Sequence, residues 1–435
     1  MKSDISYKRI LKIALPIMVS NATIPLLGIV DTGVVGQMGD ATLVAAVGIG
    51  AIVISVLFWL FGFLRMGTTG LVAQARGECD EKEICAILFR GLIIGFIGGF
   101  LLITFQSLII NISFQIFPVA TEVSELSKTY LEIRIWAAPF SIATFACVGW
   151  LIAVERTGSI LILQVITNGL NILLDLWFVL ILDYGVKGVG LASLLAESSG
   201  FFLAFYLCAR ERMLRNQFDL ARISEKSKWS RMFVLNYNIL IRSLILELVL
   251  ASYIFIGSTF GTITLAANQV LLHFMHLTAF ALDGFAFSAE ALVGIAVGQR
   301  SKDKIRVASI RSSMLAFTFA LCLATLFYIF GPLLIDRMVL DVAVQQVAKE
   351  YLFWMTLTPI TGFASFMLDG IFLGATQSVF MRKAMFQSFI FYLISILIFY
   401  SYFDNHGLWL SINLFFIVRA ISLLRYYRRI ERLAV

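Results

Sequence analysis

Charge is scarce in this chain. Only 14% of its 435 residues are Asp, Glu, Lys or Arg, against 60% hydrophobic, and the mean hydropathy is +0.91. A water-soluble domain of this length could not bury so much apolar surface, so lipid must be the solvent. Histidine is scarcer still, with three in all, and no His-Glu-x-x-His or Gly-x-Ser-x-Gly run occurs. An intramembrane enzyme needs a nucleophile with its base, or a metal held by several ligands, so an enzyme is not expected. No Gly-x-x-x-x-Gly-Lys-[Ser/Thr] run is present and the loops are short, which excludes ATP as the energy source. The five cysteines show neither metal nor disulfide spacing: Cys79 falls in a loop and the other four in apolar segments. No cofactor and no bound metal are implied.

What the chain has is long apolar runs, each able to cross a ~30 Å hydrocarbon core. They predict twelve transmembrane helices at 10–37, 42–75, 84–113, 121–154, 158–183, 187–212, 230–258, 263–299, 303–332, 342–375, 379–403 and 407–424. The runs are continuous rather than alternating with period two, which excludes a β-barrel. The expected fold is an all-α polytopic membrane protein. An N-lobe over 1–212 is followed by a polar cytoplasmic linker over 213–229 and a C-lobe over 230–435. The linker reads as a solvated basic segment at a lipid headgroup surface.

The two lobes repeat each other at an offset of 221 residues. Leu71-Val72, Ala75, Gly77 and Arg90 recur as Leu292-Val293, Ala296, Gly298 and Arg311. Tyr130-Leu131, Ala143, Phe145 and Gly149 recur as Tyr351-Leu352, Ala364, Phe366 and Gly370, and Asp183 recurs as Asp404. An even number of spans between equivalent points makes the copies parallel, related by an axis along the membrane normal.

The net charge of +7 reflects orientation and not nucleic-acid binding. With both termini cytoplasmic, four of the 34 Lys/Arg lie outside (Lys128, Lys187, Arg337, Lys349) and four within helices (Arg65, Arg134, Arg242, Arg419); the rest lie inside. Lys2, Lys8, Arg9 and Lys12 precede a run too long for a signal-peptide core, so it reads as an uncleaved first helix.

Carboxylates within a bilayer are costly and are usually retained for function. Asp31 lies near the outer end of helix 1, after Pro16 and Pro25, each of which deletes a backbone donor and permits a bend. It reads either as a buried cap or as a protonatable, cation-binding group. On helix 5, Gln164, Asn168, Asn171 and Asp175 step by four, three and four, which places them on one face. That stripe must meet a wet cavity or another polar stripe, as an interhelical glue or as a site. Ser193 and Glu197 on helix 6 are candidates to complete its wall. On helix 8, Gln269, His276, Asp283 and Glu290 form a column spaced by sevens. His273 and His276 lack a third ligand for a metal. Glu247 and Asp369 add C-lobe acids, and Arg242 is a candidate counter-ion for one of this set. A structural ion-pair network and an ion pathway both fit these residues. The acids are not duplicated: Asp31 aligns with Ser252, Asp175 with Ile396 and Asp369 with Val148. Charges confined to one lobe look like added chemistry.

Several of these segments carry a resemblance. Val30-Asp31-Thr32 with Gly36, Arg65-Met66-Gly67-Thr68-Thr69-Gly70, and Gly188-Val189-Gly190-Leu191-Ala192-Ser193 resemble multidrug and toxic compound extrusion (MATE) transporters. Phe280-Ala281-Leu282-Asp283-Gly284-Phe285-Ala286-Phe287-Ser288-Ala289-Glu290-Ala291-Leu292-Val293-Gly294 looks like their DinF branch. The likeness runs over nearly the whole chain. It implies two pseudo-symmetric six-helix lobes around a central cleft, and export of small organic cations or amphiphiles in exchange for H⁺ or Na⁺. By the same resemblance Asp31 matches the essential helix 1 aspartate, and Asn171 and Asp175 match the N-lobe pair spaced by four. Ser193 stands where relatives often have Thr. Glu247 and Asp369 resemble the C-lobe cation-site acids of the NorM branch. Leu27 replaces an aromatic found one turn before the aspartate in some relatives.

These readings lead to one expected mechanism. Asp31 and Asp175 attract a cationic substrate, a proton arriving from outside neutralises Asp31, and helix 1 bends at its prolines to release the cargo. Asn168, Asn171, Gln164 and Ser193 orient and hydrate the site. A Na⁺-coupled version uses the same residues, since a hard cation takes oxygen ligands. A lipid or lipid-linked-sugar flippase would favour a cationic cleft, and a channel would repeat a filter-like run in both halves. The expected location is a bacterial inner membrane, and a monomer is expected.

Overall fold

The computed structural model describes residues 5–116, 120–214 and 217–434, without the side chains at 24–27, 29, 31, 32 and 116. Helices account for nearly all of these residues, and no strand occurs among them. We number the membrane helices α1 (Tyr7–Gly36), α2 (Ala41–Gly77), α3 (Glu81–Thr104), α4 (Thr121–Ala153), α5 (Thr157–Ile181), α6 (Gly185–Ala209), α7 (Lys226–Ser258), α8 (Thr262–Gly298), α9 (Lys302–Met338) and α10 (Val342–Gly374). The last apolar stretch, Ser378–Ala434, is two helices in line. At Asp404 the backbone leaves the helical region (φ 47°, ψ −130°), giving α11 over 378–403 and α12 over 405–431. The twelve helices follow the apolar runs, except that the run predicted at 84–113 divides at Phe105 into α3 and a separate short helix, Gln106–Ile116. Helix α12 continues seven residues past the predicted end at 424 because its last two turns are a basic surface helix.

The duplication is written into the backbone. Six described non-glycine residues have positive φ: Cys79, Glu155, Asp183, Arg300, Thr376 and Asp404. They fall into three pairs 221 residues apart, at 79 and 300, 155 and 376, 183 and 404. Cys79, Glu155, Arg300 and Thr376 each end a helix in the same way. The next residue's N–H returns five residues to a helix carbonyl: Asp80 to Ala75 at 3.0 Å, Arg156 to Leu151 at 2.8 Å, Ser301 to Ala296 at 3.1 Å and Gln377 to Phe372 at 2.9 Å. This bond satisfies carbonyls that the helix end leaves open. α2, α4, α8 and α10 therefore stop by one shared device.

With acyl chains as apolar as leucine, close packing rather than burial holds membrane helices together, and small residues set the contacts. Gly149 shows the rule: a Cβ there would lie 2.3 Å from the carbonyl oxygen of Arg65. Gly370 repeats it, with a Cβ 2.2 Å from the carbonyl oxygen of Ala286. Both the glycines and the carbonyls they meet are related by the offset of 221.

The chain divides into two compact units. One comprises Met1–Met18, Arg76–Glu78 and Arg231–Val435; the other comprises Val19–Ala75 and Cys79–Ser230. The first has a core built on Tyr253, Tyr392, Trp409 and Phe415, with Tyr253 and Trp409 in edge contact at 5.1 Å. In the second, Trp150 is fully buried and donates its Nε1–H to the carbonyl of Ile84 at 3.2 Å.

Over its described residues 217–229, the linker is folded down and not merely solvated. Asp219 caps the single turn Leu220–Ile223 by accepting from the N–H of Arg222 at 3.2 Å. Arg90 of α3, almost fully buried, donates to the carbonyls of Arg222 and Ile223 at 3.0 and 3.2 Å, and grips Glu83 through two bonds at 3.1 and 3.2 Å. Arg222 pairs with Asp80, and Lys82 with Asp219 at 3.3 Å. Composition alone reads as solvation here, because the partners that order this strap lie on another helix, more than 130 residues away.

Candidate functional site

The polar stripe of α5 points inward, as its spacing requires. Asn168, Asn171 and Asp175 are buried, with Asp175 at 0% exposure, whereas Ile162, Val165 and Leu173 on the same helix are exposed. A stripe of amides and a carboxylate turned to lipid would leave every donor and acceptor without a partner. Inside, the stripe is bonded. Gln164 donates to Asn168 at 2.9 Å, and Asn168 donates to Thr23 of α1 at 3.1 Å. Thr23 in turn donates to the carbonyl of Ser20 at 2.7 Å. Asn171 donates to Ser193 of α6 at 3.3 Å, while its Oδ1 has no hydrogen-bond partner among the described residues.

Asp175 occupies a special place on the helix. It is the last α-helical residue before Leu176–Ile181, which wind as a π-helix. π-Helical turns interrupt the regular ladder and are frequent where a helix carries function. Thr23 was not singled out from the sequence. Its signal was a hydroxyl two turns before Asp31 on the same helix, which ordinary helix-interior threonines also show. α1 runs through Pro16 as one helix. Asp31 and Pro25 lie within it, but their side chains lie outside the described residues.

Glu197 does not join the stripe. It accepts from Arg134 of α4 at 2.6 Å and from the hydroxyl of Ser141, so its charge is matched within the bilayer depth. Arg134 also donates Nε–H to the Tyr130 hydroxyl at 3.3 Å. Ser193 and Glu197, one turn apart on α6, thus serve different neighbours.

In the unit containing α7–α12, Asp369 is held in a compensated ion-pair network. Arg242 donates to Asp369 at 2.5 Å, and Arg419 of α12 pairs with the same carboxylate. All three side chains are buried. Arg242 serves Asp369 and not Glu247, its neighbour in sequence. Asp283 and Glu290 lie within electrostatic reach of Arg242, and Asp283 of Arg419. The helix 8 column grades from exposed Gln269 and His276, through half-buried Asp283, to fully buried Glu290. Glu247 is half-buried and makes no ion pair or hydrogen bond among the described residues. No cluster of three or more His, Cys, Asp or Glu side chains suited to a metal occurs among the described residues.

The arrangement gathers buried amides, hydroxyls and a carboxylate, groups of a kind able to bind a cation or a proton. The family model described as MatE matches the chain twice, over residues 16–177 and 239–404, once in each copy of the repeat. DNA damage-inducible protein F of Escherichia coli (strain K12) is 33% identical over 429 residues, covering 98% of this chain and 92% of that protein. A solved outward-facing conformation of a multidrug resistance MATE family transporter superposes with a TM-score of 0.89 at 20% identity, over 98% of this chain and 96% of its own. The Vibrio cholerae MATE transporter VcmN in the bent form superposes at 0.88 with 18% identity, over 98% and 97%. The chain therefore belongs to the MATE family of multidrug efflux transporters, in its DinF branch, and is a multi-pass membrane protein.

Proposed function

We propose that this protein is a proton-coupled antiporter that exports small organic cations or amphiphiles through its Asp31 and Asp175 carboxylates. The observation that carries the reading is Asp175: a fully buried carboxylate at an α-to-π junction, continuing an inward column of amides. A charge so placed is costly unless a positive occupant or a proton answers it. In the ionised state the pair attracts a cationic substrate. A proton from outside neutralises Asp31, weakens that attraction, and lets α1 bend at Pro16 and Pro25. Exchange follows because one set of carboxylates cannot hold both partners at full strength. Asn168, Asn171, Gln164 and Ser193 orient the site.

The other lobe's network favours this assignment. Asp369 is already held by Arg242 and Arg419, so it has little charge left to attract a third cation. With Lys and Arg concentrated between odd-numbered helix starts and even-numbered helix ends, both termini face the cytoplasm, and a bacterial inner membrane suits this orientation.

The test is a proteoliposome flux assay with a fluorescent organic cation, varying ΔpH and Na⁺ independently. Wild-type protein is expected to respond to ΔpH without Na⁺. Asp31→Asn and Asp175→Asn are expected to insert normally and lose coupled flux. Flux that follows a Na⁺ gradient at clamped pH would transfer the same residues to Na⁺ coupling. ΔpH-driven efflux retained by Asp31→Asn would overturn the assignment.

A further inference from the structure

A groove between α7 and α11 plays no part in the exchange just described. Its volume is about 350 Å³ and it is lined by Ile241, Ile245, Arg382, Lys383, Phe386 and Gln387. Ile241 and Ile245 stand one turn apart on α7 and form an apolar wall. Arg382 and Lys383 stand one turn into α11, and Phe386 and Gln387 follow a turn deeper. The groove's walls are almost wholly apolar, and Arg382 and Lys383 border it at the helix end.

Neither cation is neutralised. Arg382 and Lys383 make no ion pair or hydrogen bond among the described residues. Among the described residues no carboxylate lines the groove: α11 carries none over 378–403, and α7 carries none before Glu247. Arg429 adds positive charge at the same end, stacked over Phe380 at 4.7 Å. Below the groove the outward side chains of both helices are apolar and exposed, with Leu244 and Leu248 on α7 and Ile390, Phe391 and Ile394 on α11.

Two uncompensated cations above a hydrocarbon trough select a ligand that is an anion joined to an apolar tail. We propose that the groove holds the headgroup and upper acyl chain of one anionic phospholipid, in the leaflet at the starts of α7, α9 and α11. Basic pockets between membrane helices are the general device for holding such headgroups. A zwitterionic lipid carries its own cation beside the phosphate and gains little from Arg382 and Lys383. A soluble anion would leave Ile241, Ile245 and Phe386 uncovered. Two cations at headgroup depth correspond to a preference of roughly 30-fold for the anionic lipid.

The test is native mass spectrometry of the full-length protein from detergent micelles containing equal dioleoylphosphatidylglycerol and dioleoylphosphatidylcholine. The wild type is expected to retain one phosphatidylglycerol in preference to phosphatidylcholine, and excess inorganic phosphate should not displace it. Arg382→Gln with Lys383→Gln is expected to remove most of the preference. Ile241→Trp, at a half-buried position, fills the trough without touching either charge and is expected to lower retention of both lipids. Equal retention by the wild type would overturn the proposal. So would a wild-type preference in the double variant, undiminished retention in Ile241→Trp, or displacement by phosphate.

Discussion

Arg90 and Arg311 stand 221 residues apart and make the same kind of bond in their own units. Arg90 donates to the carbonyls of Arg222 and Ile223, just before α7 begins. Arg311 donates to the carbonyl of Ile5, just before α1 begins, and lies 5.5 Å from the Tyr7 ring centre. Each guanidinium ties down the chain where it enters the first helix of a lobe. The acids of the candidate site are not duplicated, but this cation is, because it serves the repeat and not the cargo.

Replacing Arg90 is expected to be severe. Glu83 is buried, and Arg90→Leu removes its two-bond partner and two carbonyl contacts together. Breaking a buried pair from one side costs about 3–5 kcal/mol. Arg222 and Lys228 remain near Glu83, at 3.0 and 3.8 Å, which places the expected loss toward the lower end. Lys82→Ala breaks an exposed, solvent-screened pair and should cost far less. Thermal unfolding in detergent measures both, and tryptic cleavage after Arg222 should rise only in the Arg90 variant. Equal losses in the two variants would refute the ranking.

Acid should release the strap only well below neutrality. The Asp219 carboxyl sits below its ordinary value because it accepts from the Arg222 N–H and, next, from Lys82. Glu225 is lowered by the Ser227 hydroxyl above all. A depressed folded-state value contributes stability that is present above the unfolded value and lost as pH falls through the folded one. Both windows lie below about pH 4 to 4.5. Hydrogen exchange over 217–229, corrected for the intrinsic pH dependence of exchange, should be unchanged between pH 7 and 5.5. Release within that range would show that other groups control the strap.

The periodic parts of this structure were legible in the sequence, and the long-range partners were not. Apolar runs gave the helices, and the spacing of Gln164, Asn168, Asn171 and Asp175 gave an inward face that the exposure of Ile162 and Leu173 bears out. Arg419 was visible as an in-span cation, yet nothing periodic links α12 to Asp369 on α10. Glu197 shared a face with Ser193 but answered to Arg134, 63 positions away in the chain. The left-handed helix ends at Cys79, Arg300 and Thr376 carried no signal, because the residue expected there is glycine.

Asp369→Asn separates a structural carboxylate from a coupling one. It leaves Arg242 and Arg419 facing each other without the anion that both contact. We expect a loss of about 3–5 kcal/mol, with reduced yield of folded protein. Adding Arg419→Gln should recover part of that loss, because one uncompensated charge is removed with it. Asp175→Asn should affect flux far more than unfolding. Normal stability in Asp369→Asn would refute the structural role.

Two substitutions near one helix end should act with opposite signs. Thr376 holds φ at 54°, where a β-branched residue is strained, and its hydroxyl reaches Arg231 only at 3.5 Å. Thr376→Gly removes the left-handed penalty of about 1–2 kcal/mol and is expected to stabilise by about 1 kcal/mol after the added freedom of the unfolded chain is counted. Gly370→Ala, six residues earlier, places a Cβ 2.2 Å from the Ala286 oxygen, and backbone cannot swing aside as a side chain can. Overpacking of this kind costs about 1–3 kcal/mol. Gly149→Ala meets the Arg65 oxygen at 2.3 Å and should match it. Gly169→Ala on α5, where nothing lies within 4 Å, controls for helix propensity and should be neutral or mildly stabilising. Melting temperatures of the four variants in one detergent decide the matter: losses at 149 and 370 that differed widely would show that the repeat's two close crossings are not equivalent in energy.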